Sequence, residues 1–461
     1  MMSAVIKTEL RRGLRDRALL VLICLFAALA TYAAWSGRTI TAAHADAANT
    51  IVQKSIDQRA ERRAEFAEAE SSGAEPSRRA ILPYAQIDHV AMPHASGAAI
   101  SVSQIEAFPR IARVTSITNT HGIFDEFSGS TTNPETLAAG PFDLAFLIVF
   151  LLPLFVLAGT FDLWTSERER GVARQLLAEP IPSQILVAGK IAARCILLVL
   201  PLSIIAAIAS ASVADTGSAL LLFVYVAIYS LFWVGLAGLI NMVMARPTGA
   251  AITAGAAWLG FVLLLPAALA ACLDVVAPNP SRAALANASR LILTETQAKG
   301  EEVLEAYLNQ HPTATAELQV VSQGARRYYA VQLAADRAVA PAIEAHRKAE
   351  DRRRNIADQL RFLSPAVTVQ SSLDRLAGFD ANRALAFREQ AYTHLEAMRA
   401  FVTPLLLADQ ALTASDYDVM PNFVFEEPAN DGRHVLNLLA LSGLTALFFY
   451  GVLASARRLE T

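Results

Sequence analysis

Cysteine is nearly absent: Cys24, Cys195 and Cys272 are the only three in 461 residues, and each lies inside an apolar run. That excludes a disulfide-stapled fold, and the three read as small buried hydrophobes. Charge is sparse as well, at 18% of the chain, and neither sign dominates, the formal net charge being −3. Nucleic-acid binding requires a basic footprint that this balance does not supply. A phosphate loop is also missing. Gly189-Lys190 is followed by Ile191, and residue 184, where the loop would need its first glycine, is Gln184. No ATPase is therefore expected in the chain itself. No Ser-His-Asp or Cys-His pattern with a hydrolase signature is present either, so the sequence does not read as an enzyme.

What the chain has is hydrocarbon: 54% of its residues are hydrophobic and the mean hydropathy is +0.38. Crossing a bilayer core as a helix takes about twenty mostly apolar residues. Runs of that kind occupy 18–35, 142–161, 186–210, 218–244, 249–273 and 435–454. Pro153, Pro201 and Pro266 interrupt three of them, which membrane helices tolerate because neighbours satisfy the freed backbone groups. The sequence thus predicts an α-helical polytopic membrane protein with six transmembrane helices. The run 18–35 also has the length of a cleaved signal-peptide core, but the stretch before it is longer than a basic leader region, so a span is expected.

Orientation follows from the basic residues. Lys7, Arg11, Arg12, Arg15 and Arg17 precede the first run, and Arg168, Arg170, Arg174, Lys190 and Arg194 surround the connection 162–185. Arg246 lies between the fourth and fifth runs, and Arg457 and Arg458 follow the sixth. Alternating sides puts all of these on one face, which the positive-inside rule makes cytoplasmic. Both termini, including the tail 455–461, are then inside, and a multi-pass protein of a bacterial inner (cytoplasmic) membrane is expected. Within 1–17, Ile6, Leu10 and Leu14 recur every four residues while the basic residues take other faces. That pattern predicts a short amphipathic helix suited to the lipid interface.

The polar segments 36–141 and 274–433 fall outside on this topology. In the first, 42–70 reads as a helix leaving the membrane. Beyond Ser71-Ser72-Gly73, short apolar runs at 98–105 and 111–117 predict strands and loops. A small α+β lobe is expected there. In the second, 282–309, 324–349 and 381–400 carry apolar residues at helical spacing, predicting a mainly helical external domain.

The connection 162–185 carries the most chemistry. It reads Ser166-Glu167-Arg168-Glu169-Arg170-Gly171, then Leu176-Leu177, Pro180-Ile181-Pro182 and finally Gly189-Lys190 as the third run begins. This predicts a charged amphipathic helix broken at Pro180, with Glu167, Arg168, Glu169 and Arg170 presented to a partner and Leu176 and Leu177 as an apolar anchor. A bare topology loop would need neither the leucine pair nor the glycine and proline punctuation.

The order Glu-Arg-Glu-x-Gly, Leu-Leu, Pro-Ile-Pro, Gly-Lys resembles the coupling region of type-two ABC exporter permeases. The amphipathic stretch before six spans is similar to that family's elbow helix. The resemblance implies that 162–185 docks on a separate cytoplasmic ATPase, which binds ATP and Mg, while this chain needs no cofactor. It also implies a second permease chain, identical or related. The long insertions after spans one and five are similar to those of a subgroup whose external part has no known function. Leu363-Ser364-Pro365-Ala366, Leu376-Ala377-Gly378-Phe379-Asp380 and the helix at 387–399 carry that likeness. In the fifth run, Ala250 and Ala254, and Ala251 and Gly255, stand at helix-packing spacing. Packing inside the chain and a dimer seam both use such residues; the resemblance, which places the dimer interface at spans one and five, favours the seam.

Rival functions remain. A gradient-driven carrier keeps ionisable residues within its spans. Here Asp143, Asp274, Lys190 and Arg194 read as span-end groups able to snorkel or reach water, and only Asn241, Thr253 and Ser203 are deep and polar. A transmitter that relays ATPase movement to an envelope partner, without moving a substrate, would also use large external helices. The eight histidines, His44, His89, His94, His121, His311, His346, His394 and His434, all fall on the outer side or its edge. His89, His94 and His121 with Asp88 match no tight ligand spacing, so exposed histidines and no metal are expected.

Overall fold

In a computed structural model of the chain, residues 2–73, 83–103, 105, 109–124, 141–315, 318, 320–429 and 432–458 are described. Parts of the expected α+β lobe, notably 74–82 and 125–140, and the His121 side chain lie outside the described residues.

Helices dominate. α1 (Met2–Gly13) precedes α2 (Arg17–Ser72), whose start is capped by the Asp16 carboxylate accepting from the Ala18 N–H. A two-stranded hairpin follows, β1 (Asp88–Ala91) with β2 (Ile111–Val114), antiparallel with Val90 opposite Ala112. Then come α3 (Leu144–Ala158), α4 (Thr165–Glu169), α5 (Val172–Ala178), α6 (Ser183–Ala211), α7 (Thr216–Val243) and α8 (Pro247–Val276). The second polar segment supplies α9 (Arg282–Ala298), α10 (Gly300–Gln310), α11 (Gln323–Leu360), α12 (Pro365–Leu376), α13 (Ala381–Leu407) and α14 (Ala414–Val419). The last helix is α15 (Arg433–Arg457).

Among the described residues, five helices are long and apolar enough to cross a membrane: α2, α6, α7, α8 and α15. α3 is apolar but shorter than the expected 142–161, because the chain turns at Gly159 and the Thr160 hydroxyl donates back to the Val156 carbonyl. α2 runs for 56 residues without a break, so the boundary expected at 35 is no interruption of the helix. α7 is the axis of the bundle. Its Tyr225, Tyr229, Phe232 and Trp233 are fully buried, and Phe232 meets Phe261 of α8 and Phe448 of α15 edge-to-face at 5.7 and 5.2 Å. Leu20, Val21 and Leu25 of α2, Ile252 and Leu264 of α8, and Leu439 and Leu447 of α15 face outward, exposed. An apolar outer surface of that extent suits hydrocarbon and not water.

The two polar segments do not form the separate lobe and domain expected from sequence. Phe66, Val90, Ala112 and Val114 of the first share one core with Phe387, Ala391, Leu395, Met398 and Tyr417 of the second. A lone two-stranded hairpin is marginal in water, and α13 supplies the face it needs. The run expected as a strand at 98–105 opens instead with a tight helical turn, Ala98–Ile100. The helix expected across 282–309 breaks at Lys299 into α9 and α10. His89 and His94, expected to be exposed, are half-buried, and His394 is buried, its Nε2 3.2 Å from Asp88 Oδ2, while Arg59 Nη2 donates to the same oxygen at 2.8 Å. Burial pushes the Asp88 carboxyl up, but His394, Arg59 and Gln86 outweigh it and hold it below the ordinary value.

α12 joins this lobe to the bundle. Ala366, Val369, Leu373 and Leu376 belong to the same core as the apolar helices, and Asn437 Nδ2 of α15 donates to Ser372 Oγ at 2.8 Å. At its end Asp374 accepts from Ser101 Oγ at 2.6 Å and Gln370 Nε2 at 2.7 Å. Burial pushes the Asp374 carboxyl up to about 7, the nearby Asp143 and Asp380 adding to the shift against those two hydrogen bonds.

Candidate functional site

The connection between α3 and α6 lies at the end of the bundle that carries α1. Instead of one helix broken at Pro180, it forms two short helices that part at Gly171. Gly171 has φ +75, a left-handed conformation that glycine adopts without the penalty other residues carry. Pro180 is exposed in the turn that follows α5, where the Ile181 N–H donates to the Glu179 carbonyl at 2.7 Å.

Asn241, near the end of α7, holds the start of this connection. Its Oδ1 accepts from the Trp164 N–H at 3.1 Å, and from the Thr165 N–H and hydroxyl at 3.2 Å each. Its Nδ2 donates to the Thr160 carbonyl at 3.1 Å and the Ala237 carbonyl at 2.9 Å. One buried amide therefore satisfies backbone groups that the chain exposes as it turns between α3 and α4. Arg168 Nη1 reaches the Met244 carbonyl at 2.9 Å, capping the end of the same helix.

The second anchor is Lys190. The sequence reading placed it at a span end, able to snorkel; in the fold it is buried at 5% exposure. Its Nζ lies 2.5 Å from Glu167 Oε1 and 3.0 Å from Glu9 Oε1, so α4, α6 and α1 meet at one ammonium. The preceding Gly189 makes this approach possible, since a Cβ there would come within 2.8 Å of Val5 Cγ1. Arg12 adds a looser pairing with Glu167 at 3.8 Å.

The predicted docking residues therefore divide. Glu167 and Arg168 turn inward and hold the connection to the bundle, which corrects the expectation that all four charges are presented together. Glu169, Arg170 and Gly171 are exposed, and Arg174, Gln175, Glu179 and Pro180 continue the exposed ridge. Leu176 and Leu177 pack half-buried against the bundle core. The arrangement is a charged ridge on a footing of buried hydrogen bonds and ion pairs.

The small residues of α8 divide in the same way. Ala250 and Ala254 are buried inside the chain, so they cannot line an external seam, whereas Ala251 and Gly255 are exposed. Among the described residues no His, Cys, Asp and Glu cluster is arranged to hold a metal ion. Sequence reasoning singled out Asn241 only as a deep polar residue and missed its role. For Lys190 the available signal was its place on the helix opposite the acidic Glu167, which no periodicity within one element reveals.

A family model described as a domain of unknown function (DUF3526) matches residues 282–426, from the first residue of α9 to beyond α14 and apart from the connection between α3 and α6. No curated protein matches the chain.

Proposed function

We propose that the chain is the membrane-spanning permease half of an ATP-driven ABC exporter of a bacterial inner membrane. It crosses the membrane six times, with α3 as the second span and both termini cytoplasmic. The ridge at Glu169, Arg170 and Gly171 docks on a separate ATPase subunit that binds ATP and Mg, and a second permease chain completes the assembly against Ala251 and Gly255. The observation that carries the reading is the separation of roles in the connection: inward residues lock it to three helices, while a charged ridge is left outward. A ridge rigidly joined to α1, α6 and α7 transmits a push at its surface into the bundle instead of dissipating it in a loop.

The experiment is affinity capture of the tagged chain in mild detergent from its own host, with mass spectrometry of what accompanies it. A stoichiometric ATPase subunit, lost from Glu169→Gln/Arg170→Gln, is expected. Its absence from monodisperse wild-type protein would overturn the proposal.

A second reading is favoured by α12, which shares a core with the spans and a lobe with α13. On that reading the ATPase's movement is relayed to an envelope partner and no substrate crosses. ATP-dependent movement of a solute by the reconstituted complex separates the two.

A further inference from the structure

α6, α7 and α15 line an open cleft of about 470 Å³. Ala192 and Cys195 of α6, Leu231 of α7, and Ala446, Phe449 and Leu453 of α15 line it. The lining is apolar, and the Thr445 hydroxyl in its wall is already donated to the Leu441 carbonyl at 2.8 Å. Water needs two to four polar partners to be held in such a place, and beyond Thr445 the only other hydroxyl in the lining is that of Ser442. The volume falls in the range of about 300–1,000 Å³ usual for small-ligand sites.

The cleft is built into the fold. At one end α6 and α15 are pinned together, Ser183 Oγ donating to the Ala456 carbonyl at 2.8 Å and Gln184 Nε2 to the Leu453 carbonyl at 3.0 Å. Beyond that pin α6 widens into a π-helical turn, Cys195–Val199, followed by Pro201, and the two helices part. The mouth continues into the outward apolar surface at Leu453, Ile196 and Leu200, which are exposed. Arg457, also exposed, stands one turn beyond Leu453 at the pinned end.

We propose that this cleft binds one acyl chain of a membrane phospholipid, with an anionic headgroup at Arg457. The inference rests on reading α6, α7 and α15 as membrane spans, and it does not depend on the ATPase. The bilayer supplies hydrocarbon at the mouth, the walls are almost wholly apolar, and the cation sits where a chain entering from the cytoplasmic leaflet would place its phosphate. The occupant wedges α6 from α15 one turn from Lys190, so the lipid present sets the position of the helix on which the docking connection rests.

The test is native mass spectrometry of the full chain released from its membranes in mild detergent. Wild type is expected to keep one adduct of phospholipid mass per chain through delipidation. Ala192→Leu/Ala446→Leu, which fills the cleft, should reduce that adduct at least tenfold, and Arg457→Gln should keep an adduct but lose the preference for anionic headgroups. Equal retention by wild type and the filled variant overturns the site, and an adduct of fatty-acid or detergent mass overturns the phospholipid assignment. Should the filled variant be polydisperse, Phe449→Trp in vesicles holding dibrominated phospholipid reads the same point. Its added emission should be quenched at bromolipid fractions too low to quench Leu263→Trp on the outer surface of α8, and equal quenching overturns the site. Release of the wild-type chain from membranes by carbonate would overturn the reading of spans beneath it.

Discussion

The Lys190 ammonium is shared by Glu167 and Glu9, at 2.5 and 3.0 Å, where α1, α4 and α6 converge. Two partly buried carboxylates depend on that one cation. Removing one partner of a buried pair costs about 3–5 kcal/mol because it strands the other charge; Glu9, with a side chain 21% exposed, regains some solvent, which lowers the figure. Lys190→Met is expected to destabilise the chain by about 3 kcal/mol on that scale, read by denaturant unfolding in detergent. Lys190→Met/Glu167→Gln/Glu9→Gln should recover most of the loss. A triple variant no more stable than Lys190→Met would show that the charges are not the cause.

Asn241 carries a heavier hydrogen-bonding load than any apolar substitute could replace. Asn241→Leu leaves the Trp164 and Thr165 N–H groups and the Thr160 carbonyl without their amide partner. Unsatisfied buried groups cost about 1–3 kcal/mol each, so a loss of roughly 3 kcal/mol is expected after local relaxation. The loss should be local: amide hydrogen exchange between 160 and 170 should accelerate while that of α7's aromatic segment stays slow. Asn241→Asp keeps the acceptor and loses the donor, and should fall between the two. Uniformly faster exchange along the chain would remove the local role.

The apolar helices were legible because a span leaves a signature of some twenty residues that no neighbour needs to complete. Five of the six runs reappear as long apolar helices with ends within a few residues of those read from sequence, α2 alone continuing far past its apolar part. The connection between α3 and α6 was legible as a place and not as a geometry. Charge and punctuation marked 162–185, but whether Glu167 faces Lys190 or a partner depends on how α4 and α6 cross, and no local pattern encodes that. The lobe built from the two polar segments was least legible. Its core is assembled from Phe66, Val90 and Phe387, residues brought together from three distant elements, and each run taken alone was too short to declare its partner.

Asp374 makes stability depend on pH in a defined direction. Its ordinary value is 3.8 and burial raises it to about 7 in the fold. Between those values the folded chain holds a proton that the unfolded chain has released, so this residue's contribution to stability falls as pH rises from about 4 to about 7 and is level above that. Asp374→Asn removes the titration while still accepting from Ser101 and Gln370. The variant should be more stable than wild type at pH 8, by at most ~4 kcal/mol for a shift of this size, with the gap closing toward pH 4. Melting temperatures measured across that window check it. Parallel curves for the two proteins would place the titrating group elsewhere.

The last prediction separates footing from ridge. Glu169 and Arg170 are exposed and Arg168 is tied to the Met244 carbonyl, so two neighbouring substitutions should fail in different assays. Glu169→Gln/Arg170→Gln is expected to change stability by no more than about 0.5 kcal/mol, as surface replacements do, while capture of the proposed ATPase subunit falls at least tenfold. Arg168→Gln should instead lose roughly 1.5–3 kcal/mol, the range for hydrogen bonds to charged groups, and keep the proposed ATPase at temperatures where it stays folded. Gly171→Val belongs with the ridge: the left-handed backbone costs a branched residue about 1–2 kcal/mol, and relief of that strain would re-aim α5 relative to α4. Its capture should drop while the Lys190 cluster, read by resistance to unfolding, is largely kept. If all three variants lost stability and capture in proportion, the connection would be one structural unit and the outward ridge would have no separate role.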